Sequence, residues 1–308
     1  MKKDRPEVGI GLYVWNGENT IHQTLSSILN QTYKNIKIYV LDNQSTDSTT
    51  EIVKNFRKKD KRVNLIIDKK KRDQAAAPRF LLNLFLKKFK YCLIISDDDI
   101  YEKKFIEIIL NKLINKKLNM VYPSFNLIDL KGQLYKVKDF PTYNENSSSF
   151  FNLIKFIIYR NCASPTNAGI FETKSLIKSY KYWKIYDSSL VNYENLMLID
   201  FFANNNVGYV NKKLFNYRVK DRIEIAKNRD QQGIFNLKKN SFSKLIIFIY
   251  QLRFSLRAAN IIYKSEKLNN LKKTILFLLI IFLYFQKCIS FVIKSFLKVN
   301  DVYKNRSG

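Results

Sequence analysis

Along the first hundred residues, apolar positions recur with two alternating periods. Val8, Ile10, Leu12 and Val14 fall at every second position, as do Ile36, Ile38 and Val40, while Val63 to Ile67 and Tyr91 to Ile95 are apolar runs of strand length. These patterns predict four strands. Between them the spacing becomes helical. Ile21, Leu25, Ile28 and Leu29 stand at i, i+4, i+7 and i+8 behind Thr20 and Gln23, which form a capping-box pattern; Ser48 and Glu51 repeat it before Ile52, Val53 and Phe56. A third helix is expected from about Arg79 to Phe89, with Pro78 near its first turn. Strand and helix in alternation predict an α/β fold with a mostly parallel central sheet.

Beyond residue 100 the pattern is less regular. It predicts helices near Phe105 to Asn115, Phe150 to Arg160 and Tyr193 to Asn204, a strand at Asn119 to Pro123, a turn at Asp129 to Gly132, and short extended pieces at Val207 to Val210 and Leu214 to Tyr217. From about Lys220 the chain becomes basic and apolar, with helical stretches at Phe242 to Tyr263 and Leu271 to Leu297. The apolar run Ile275 to Phe285 is short of the roughly 20 residues needed to cross a bilayer. Extending it to Ile293 encloses Gln286 and Lys287. With Lys272, Lys273, Lys294 and Lys298 flanking it, two placements stay open: a helix lying in a membrane interface, or one packed on the preceding domain. The expected organisation is therefore residues 1–100, 101–220, and a helical C-terminal region at 221–308.

Composition narrows the partners. The 308 residues include 54 basic and 26 acidic side chains, a formal charge of +28, and are 46% apolar, which supplies a core and excludes a disordered basic tail. The 42 Lys and 12 Arg are spread along the whole chain, and no helix-turn-helix, RNP aromatic motif or zinc-finger spacing accompanies them. No nucleic-acid partner is expected; an anionic membrane surface is. Cys92, Cys162 and Cys288 lie far apart without a CxxC pair, which argues against a zinc site or disulfide framework and suits a reducing compartment. Met1 to Glu7 is charged and contains no signal-like apolar run, so the expected location is cytoplasmic, peripheral at the inner face of the cell membrane.

Candidate chemistry collects where strands end. Trp15, Asn16 and Gly17 follow the first strand, Asp42 and Asn43 the second, and Asp97, Asp98 and Asp99 the fourth. In open parallel sheets, ligands bind outside those carboxyl ends. Three adjacent aspartates repel one another and raise one another's pKa unless a cation sits among them, and oxygen ligation with open positions suits Mn²⁺ or Mg²⁺ shared with a substrate phosphate. The alternative is a cap on a helix starting near Tyr101, for which one Asp suffices. There is no P-loop motif, and Gly9-Ile10-Gly11 has Val14 where a dinucleotide fingerprint needs its third glycine. A nucleotide held by Asp42 and by the acidic segment with its metal remains. The mixed polar stretch Asn161 to Gly169 reads as a loop over the site, where Thr166 and Asn167 either bond acceptor sugar hydroxyls or simply form turns.

Several segments together resemble the family 2 glycosyltransferases of GT-A (nucleotide-diphospho-sugar transferase) fold. These are Val14-Trp15-Asn16-Gly17-Glu18-Asn19, Leu25-Ser26-Ser27-Ile28-Leu29-Asn30-Gln31-Thr32-Tyr33, Leu41-Asp42-Asn43-Gln44-Ser45-Thr46-Asp47-Ser48-Thr49, and Ser96-Asp97-Asp98-Asp99 at the place of the family's DxD motif. The resemblance covers residue 7 to about 220. It implies an inverting transfer from a nucleotide-sugar donor, a UDP-sugar, to a glycan or lipid-linked acceptor in surface polysaccharide or glycoconjugate synthesis. It further implies that Asp42 faces the nucleobase, that Trp15 forms an aromatic wall beside Asn16, that Asp97 flanks the donor with Asp98 and Asp99 on the metal, and that Arg79 steadies donor phosphate or Asp42. Glu194 stands at the place of the catalytic base, with Asp187 and Asp200 as alternatives, and Asn195 replaces the family's common Asp. Asn216-Tyr217-Arg218 resembles the pair closing the core, with Arg218 a candidate phosphate contact. Two rivals stand against this reading. A nucleotidyltransferase or pyrophosphorylase would need a glycine-rich basic loop where Trp15-Asn16-Gly17-Glu18 stands, and a non-enzymatic membrane-surface binder would be indifferent to its aspartates.

Overall fold

The computed structural model describes residues 5–69, 71–72, 76–134, 148–158, 168–182, 194–219 and 241–304. The chain runs β1 (Val8–Val14), α1 (Ile21–Leu29), β2 (Ile36–Asp42), α2 (Thr49–Lys59), β3 (Val63–Ile67), α3 (Ala76–Phe85), β4 (Tyr91–Ile95), β5 (Ile100–Tyr101), α4 (Phe105–Asn115) and β6 (Met120–Ile128). It continues through α5 (Ser149–Ile158), β7 (Ile170–Glu172), α6 (Thr173–Ser179), a 3₁₀ turn at Tyr180–Tyr182, α7 (Glu194–Asn204), β8 (Val207–Arg218), α8 (Ser241–Tyr263) and α9 (Asn270–Lys304). The strands form one sheet in the order β3-β2-β1-β4-β7-β6-β8-β5. β3, β2, β1 and β4 pair in parallel, β7 runs antiparallel between β4 and β6, and β8 is parallel to β6. This is the mostly parallel α/β sheet that the alternation predicts.

The period of two in β1 explains its burial. Val8, Ile10, Leu12 and Val14 all point to one face, where they meet Ile21, Leu25 and Ile28 of α1 and Phe105, Ile106 and Ile109 of α4. Each such side chain removed from water contributes about 1.5–3 kcal/mol. The opposite face of β1 starts with Gly9, where a Cβ would collide with the Phe89 ring, so the glycine is what lets the end of the α3 segment close on the strand. That second face carries a second core, built from α3, α5, α6 and α7, with α8 packed on α7 and α9 on α8 and α5. Cys92 lies in this core, where burial pushes its thiol pKa up to about 12.

The structure differs from the sequence expectation in particular places. The two pieces at Val207 to Val210 and Leu214 to Tyr217 are one strand, β8; its apolar pattern lapses at Asn211, Lys212 and Lys213, which are exposed where the pairing with β6 shifts register. β6 likewise continues past Pro123 to Ile128. α3 begins before Arg79, at Ala76, and ends at Phe85. Neither capping box forms. The Thr20 hydroxyl turns to Asp97 Oδ2 at 3.2 Å, and Asp47 Oδ1 rather than Ser48 accepts the Thr49 N–H at 3.0 Å. β5 and β7, at two and three residues, are shorter than any readable period. Among the described residues no helix is long and apolar enough to cross a membrane.

Nine consecutive residues of α7, Asn195 to Ala203, are buried, because the helix is wedged between the sheet and the α8–α9 pair. Replacing the fully buried Phe201 by Ala is expected to cost about 3–5 kcal/mol in urea unfolding. A loss below about 1 kcal/mol would show that α7 can relax around the cavity.

Candidate active site

The first turn after β1 is the hinge of the site. Asn16 takes a left-handed conformation, φ 53°, and from there its N–H donates to Ser45 Oγ at 2.9 Å while its Oδ1 accepts the Thr46 N–H at 2.9 Å. The next two residues continue the lacing: Gly17 N–H donates to Thr49 Oγ1 at 2.8 Å, Glu18 N–H to Asp47 Oδ2 at 3.1 Å, and Ser48 N–H to Glu18 Oε2 at 3.0 Å. On its other side this turn meets the acidic segment. A Cβ on Gly17 would overlap Asp97 Oδ2 and the Val14 side chain, so only glycine lets the Asp97 carboxylate lie against the backbone.

Asp97, Asp98 and Asp99 leave β4 held from below. The Thr24 hydroxyl bridges the carbonyls of Asp97 and Asp99, at 2.8 Å each. Arg218, at the end of β8 and nearly fully buried, gives its backbone N–H to Asp99 Oδ1 at 3.0 Å and its Nε to the Asp98 carbonyl at 2.7 Å. Its remaining donors reach the Asp129 and Leu130 carbonyls at 2.9 and 2.7 Å and Gln23 Oε1 at 2.7 Å. The aspartates do not cap α4: a two-residue strand intervenes, and α4 starts only at Phe105. Asp99 is buried, and that burial, then the Asp98 charge, raises its carboxyl well above the ordinary value against the pull of the Arg218 N–H.

Beside this segment opens a cleft of about 690 Å³, solvent at its mouth included. Tyr13, Ser96, Asp99, Tyr180, Glu194 and Tyr217 are among the residues that line it. Glu194 is the first residue of α7, a position where a carboxylate gains from the helix dipole. Tyr13 bonds Ser96, and its phenol pKa is raised by burial first and then by the charge of Glu194, with smaller contributions from Asp98 and Asp97. A single phenol thus feels the carboxylate of α7 and the aspartates of β4 together. Sequence reasoning missed Tyr13; the available signal was its place on the alternate face of β1, opposite Val8, Ile10, Leu12 and Val14.

The other sequence candidates are distributed around this centre. Trp15 is exposed at the rim with the Lys71 ammonium 3.3 Å from its ring centroid. Asp42 is fully buried; its carboxylate accepts the Ser45 N–H at 2.9 Å and the Thr50 hydroxyl, and so fastens the loop that bonds Asn16. Arg79 donates to the Tyr180 carbonyl at 3.4 Å. Asp200 faces away from the cleft, accepting the Ser179 hydroxyl at 2.5 Å and Asn204 Nδ2 at 3.0 Å. Asp187, Thr166 and Asn167 lie outside the described residues.

Among the described residues no three His, Cys, Asp or Glu side chains form a group able to hold a metal ion. The acidic segment therefore fits an ion of the Mg²⁺ or Mn²⁺ kind in one way: anchored by one or two carboxylates, with substrate phosphate and water completing its shell. Burial first, and the Asp98 charge second, raise the Asp99 carboxyl, and an adjacent cation would lower it again.

Comparison with known proteins adds a second line of observation. Residues 10–185 match the family described as glycosyl transferase family 2. An uncharacterized glycosyltransferase of Haemophilus influenzae is 33% identical over 134 residues, covering 43% of this chain and 52% of that protein. Glycosyltransferase GlyA of Streptococcus pneumoniae is 29% identical over 216 residues, covering 67% of this chain and 30% of that protein. The chain thus spans about a third to a half of the length of these relatives. Among solved structures, Staphylococcus aureus TarS 1-349 in complex with UDP-GlcNAc superposes with a TM-score of 0.62 at 14% identity, covering 87% of this chain and 69% of that one. The complex of the same protein with UDP gives 0.58 at 15%, covering 87% and 68%. The likeness is one of fold, the GT-A architecture.

Asp200 supplies a pH prediction. Burial raises its pKa against the Ser179 bond and the Lys181 charge, so the folded state binds this proton more tightly than the unfolded chain, whose carboxyl titrates near about 3.9. That stabilisation is full below the unfolded value and is lost as pH rises through the folded one. Asp200→Asn, which can still bond Ser179 and Asn204, is expected to be more stable than the parent at pH 8, with the two urea midpoints converging as pH falls toward about 4. A gap that widens on acidification contradicts the assignment.

Proposed function

The chain belongs to glycosyl transferase family 2, and from that membership we propose that it moves a sugar from a nucleotide diphosphate sugar to a hydroxyl of a glycan or lipid-linked acceptor, with inversion at the anomeric carbon. The observation that carries this reading is that Asp99, from the acidic end of β4, and Glu194, from the start of α7, line the same cleft. Carboxylates could anchor a leaving diphosphate only through a cation, and a second carboxylate in the same cleft is available to take the proton of the incoming hydroxyl, which supports this reading. TarS, a protein of like fold, was solved with UDP and with UDP-GlcNAc, which supports a UDP-sugar as donor.

Residues 1–100 form the donor half. Trp15 and Asn16 border the nucleotide, Asp42 acts through the loop it fastens, Asp97 lies beside the ribose and diphosphate, and Arg79 meets phosphate from α3. Asp98 and Asp99 would hold Mn²⁺ or Mg²⁺. When bound, that ion neutralises charge on the departing diphosphate. Arg218 is a positioning residue: with four of its five guanidinium N–H donors bonded to protein oxygens, it sets where the Asp98 and Asp99 backbone lies. Residues 101–220 form the acceptor half, in which Thr166 and Asn167 meet acceptor hydroxyls. Glu194 accepts the acceptor proton as the acceptor oxygen bonds to the anomeric carbon, and the bond from that carbon to the diphosphate breaks on the opposite side. Glu194 is preferred to Asp200 because it faces the cleft, while Asp200 is fastened to Ser179 and Asn204; Asp187 is the alternative. The basic, apolar region 221–308 supports peripheral association with the inner face of a membrane, where precursors of surface polysaccharide or glycoconjugate are displayed.

UDP release from a panel of UDP-sugars, assayed with acceptor and Mn²⁺, tests this reading. Glu194→Gln is expected to lower kcat by about 10²–10⁴-fold with donor affinity unchanged. An undiminished kcat in Glu194→Gln moves the base elsewhere, and absence of both binding and release across the panel contradicts the donor class.

A further inference from the structure

The long helix α9 is apolar on both sides. Its inner side carries Leu276 and Ile280 into the main core beside Phe254, Ala258 and Ile261 of α8. Its outer side carries Leu271, Ile275, Leu278, Phe282, Phe285 and Ile289, all exposed, at i, i+4, i+7, i+11, i+14 and i+18. Phe282 is 63% and Leu278 59% exposed, so these are not side chains half sheltered by neighbours. α8 repeats the arrangement with exposed Ile249, Leu252, Leu256 and Tyr263 on one stripe. A helix that is apolar all round is normally buried or in contact with lipid, and a continuous exposed apolar surface marks an interaction site.

Charge selects the occupant. Arg253, Arg257 and Lys264 stand at i, i+4 and i+11 along a flank of the α8 stripe, and Lys272 and Lys273 open α9. A second copy of this chain would bring the same cations against these and add its own net +28. A surface of anionic headgroups over acyl chains complements both the apolar stripes and their basic margins. No helix among the described residues suffices to cross a bilayer, which leaves an in-plane contact as the way to use this face.

We propose that the outer face of the α8–α9 hairpin docks on an anionic lipid bilayer, lying parallel to the membrane with its apolar stripes inserted at headgroup depth. This deepens the membrane association proposed above by naming the surface that makes it. Because α8 packs on α7, whose first residue is Glu194, docking of the hairpin holds α7 on the side of α8 that faces away from the lipid.

The test uses the full chain and co-sedimentation with phosphatidylcholine vesicles, with and without about 30% phosphatidylglycerol. Binding to the anionic vesicles is expected to exceed binding to neutral ones by about tenfold or more, since each basic residue near such a surface adds roughly fivefold. Leu278→Glu/Phe282→Glu, at exposed positions outside the core, is expected to lower that binding by about tenfold or more while UDP release with a soluble acceptor is unchanged. Arg253→Glu/Lys264→Glu, which leaves the apolar stripes intact, is expected to abolish the preference for anionic vesicles and decides the matter if the first variant does not fold. Equal binding of all three proteins, or equal binding to both vesicle types, overturns the proposal. So does a dimer in sedimentation velocity that Leu278→Glu/Phe282→Glu dissociates, because the face then belongs to a second copy. Vesicle binding without any UDP release counts against the transfer reaction alone.

Discussion

Three carboxylates in a row at the carboxyl end of a buried strand repel one another, and the site depends on how that repulsion is contained. Arg218 answers part of it, giving its backbone N–H to Asp99 Oδ1 and placing a buried cation beside the segment. Burying a guanidinium costs several kcal/mol unless its donors are met, and here four of the five are: the side chain bonds the carbonyls of Asp98, Asp129 and Leu130 and the amide oxygen of Gln23, while the backbone N–H donates to Asp99 Oδ1. These partners come from the ends of β4 and β6 and from α1. One cation therefore ties three elements to the end of β8, and it spends its hydrogen bonds largely on carbonyls rather than on the aspartate carboxylates. It fixes where the acidic backbone runs without consuming the charge that a metal and a diphosphate would need.

The neighbouring turn solves a related problem by sterics. Gly17 admits the Asp97 carboxylate against its backbone, and Asn16, Gly17 and Glu18 are laced to the Ser45 to Thr49 loop. Asp42, buried behind that loop, holds it in place. The carboxyl ends of β1, β2 and β4 thus act as one unit, although no carboxylate of β2 reaches the cleft. α7 brings Glu194 into the same cleft as Asp99, its whole middle being buried between the sheet and the hairpin. The apolar packing that buries α7 also sets where Glu194 stands in the cleft.

Much of this could be read from the chain. Period-two alternation located β1 and β2, helical spacing located α1 and α4, and the family 2 resemblance foresaw the GT-A architecture. Short elements escaped because β5 and β7 hold too few residues to show a period, and β8 was split because Asn211, Lys212 and Lys213 interrupt its pattern at a register shift. The first capping box failed for a tertiary reason, the Thr20 hydroxyl being turned to Asp97, 77 positions away, whereas at the second the neighbouring Asp47 meets the first N–H of α2. Arg218 stood out in sequence, but its partners lie between 88 and 195 positions distant, and no local pattern reports them. Tyr13 was hidden because attention to the buried alternation of β1 passes over the residue on its other face.

The central claim is that the Asp97 to Asp99 turn, held open by Arg218, gathers a divalent ion for a nucleotide diphosphate. Calorimetric titration of UDP into the chain, with and without Mn²⁺ and repeated on Asp98→Asn, tests it most directly. The account predicts that Mn²⁺ tightens UDP binding by about tenfold or more and that Asp98→Asn erases the difference. UDP affinity that is equal with and without Mn²⁺, and equal in the variant, would contradict it.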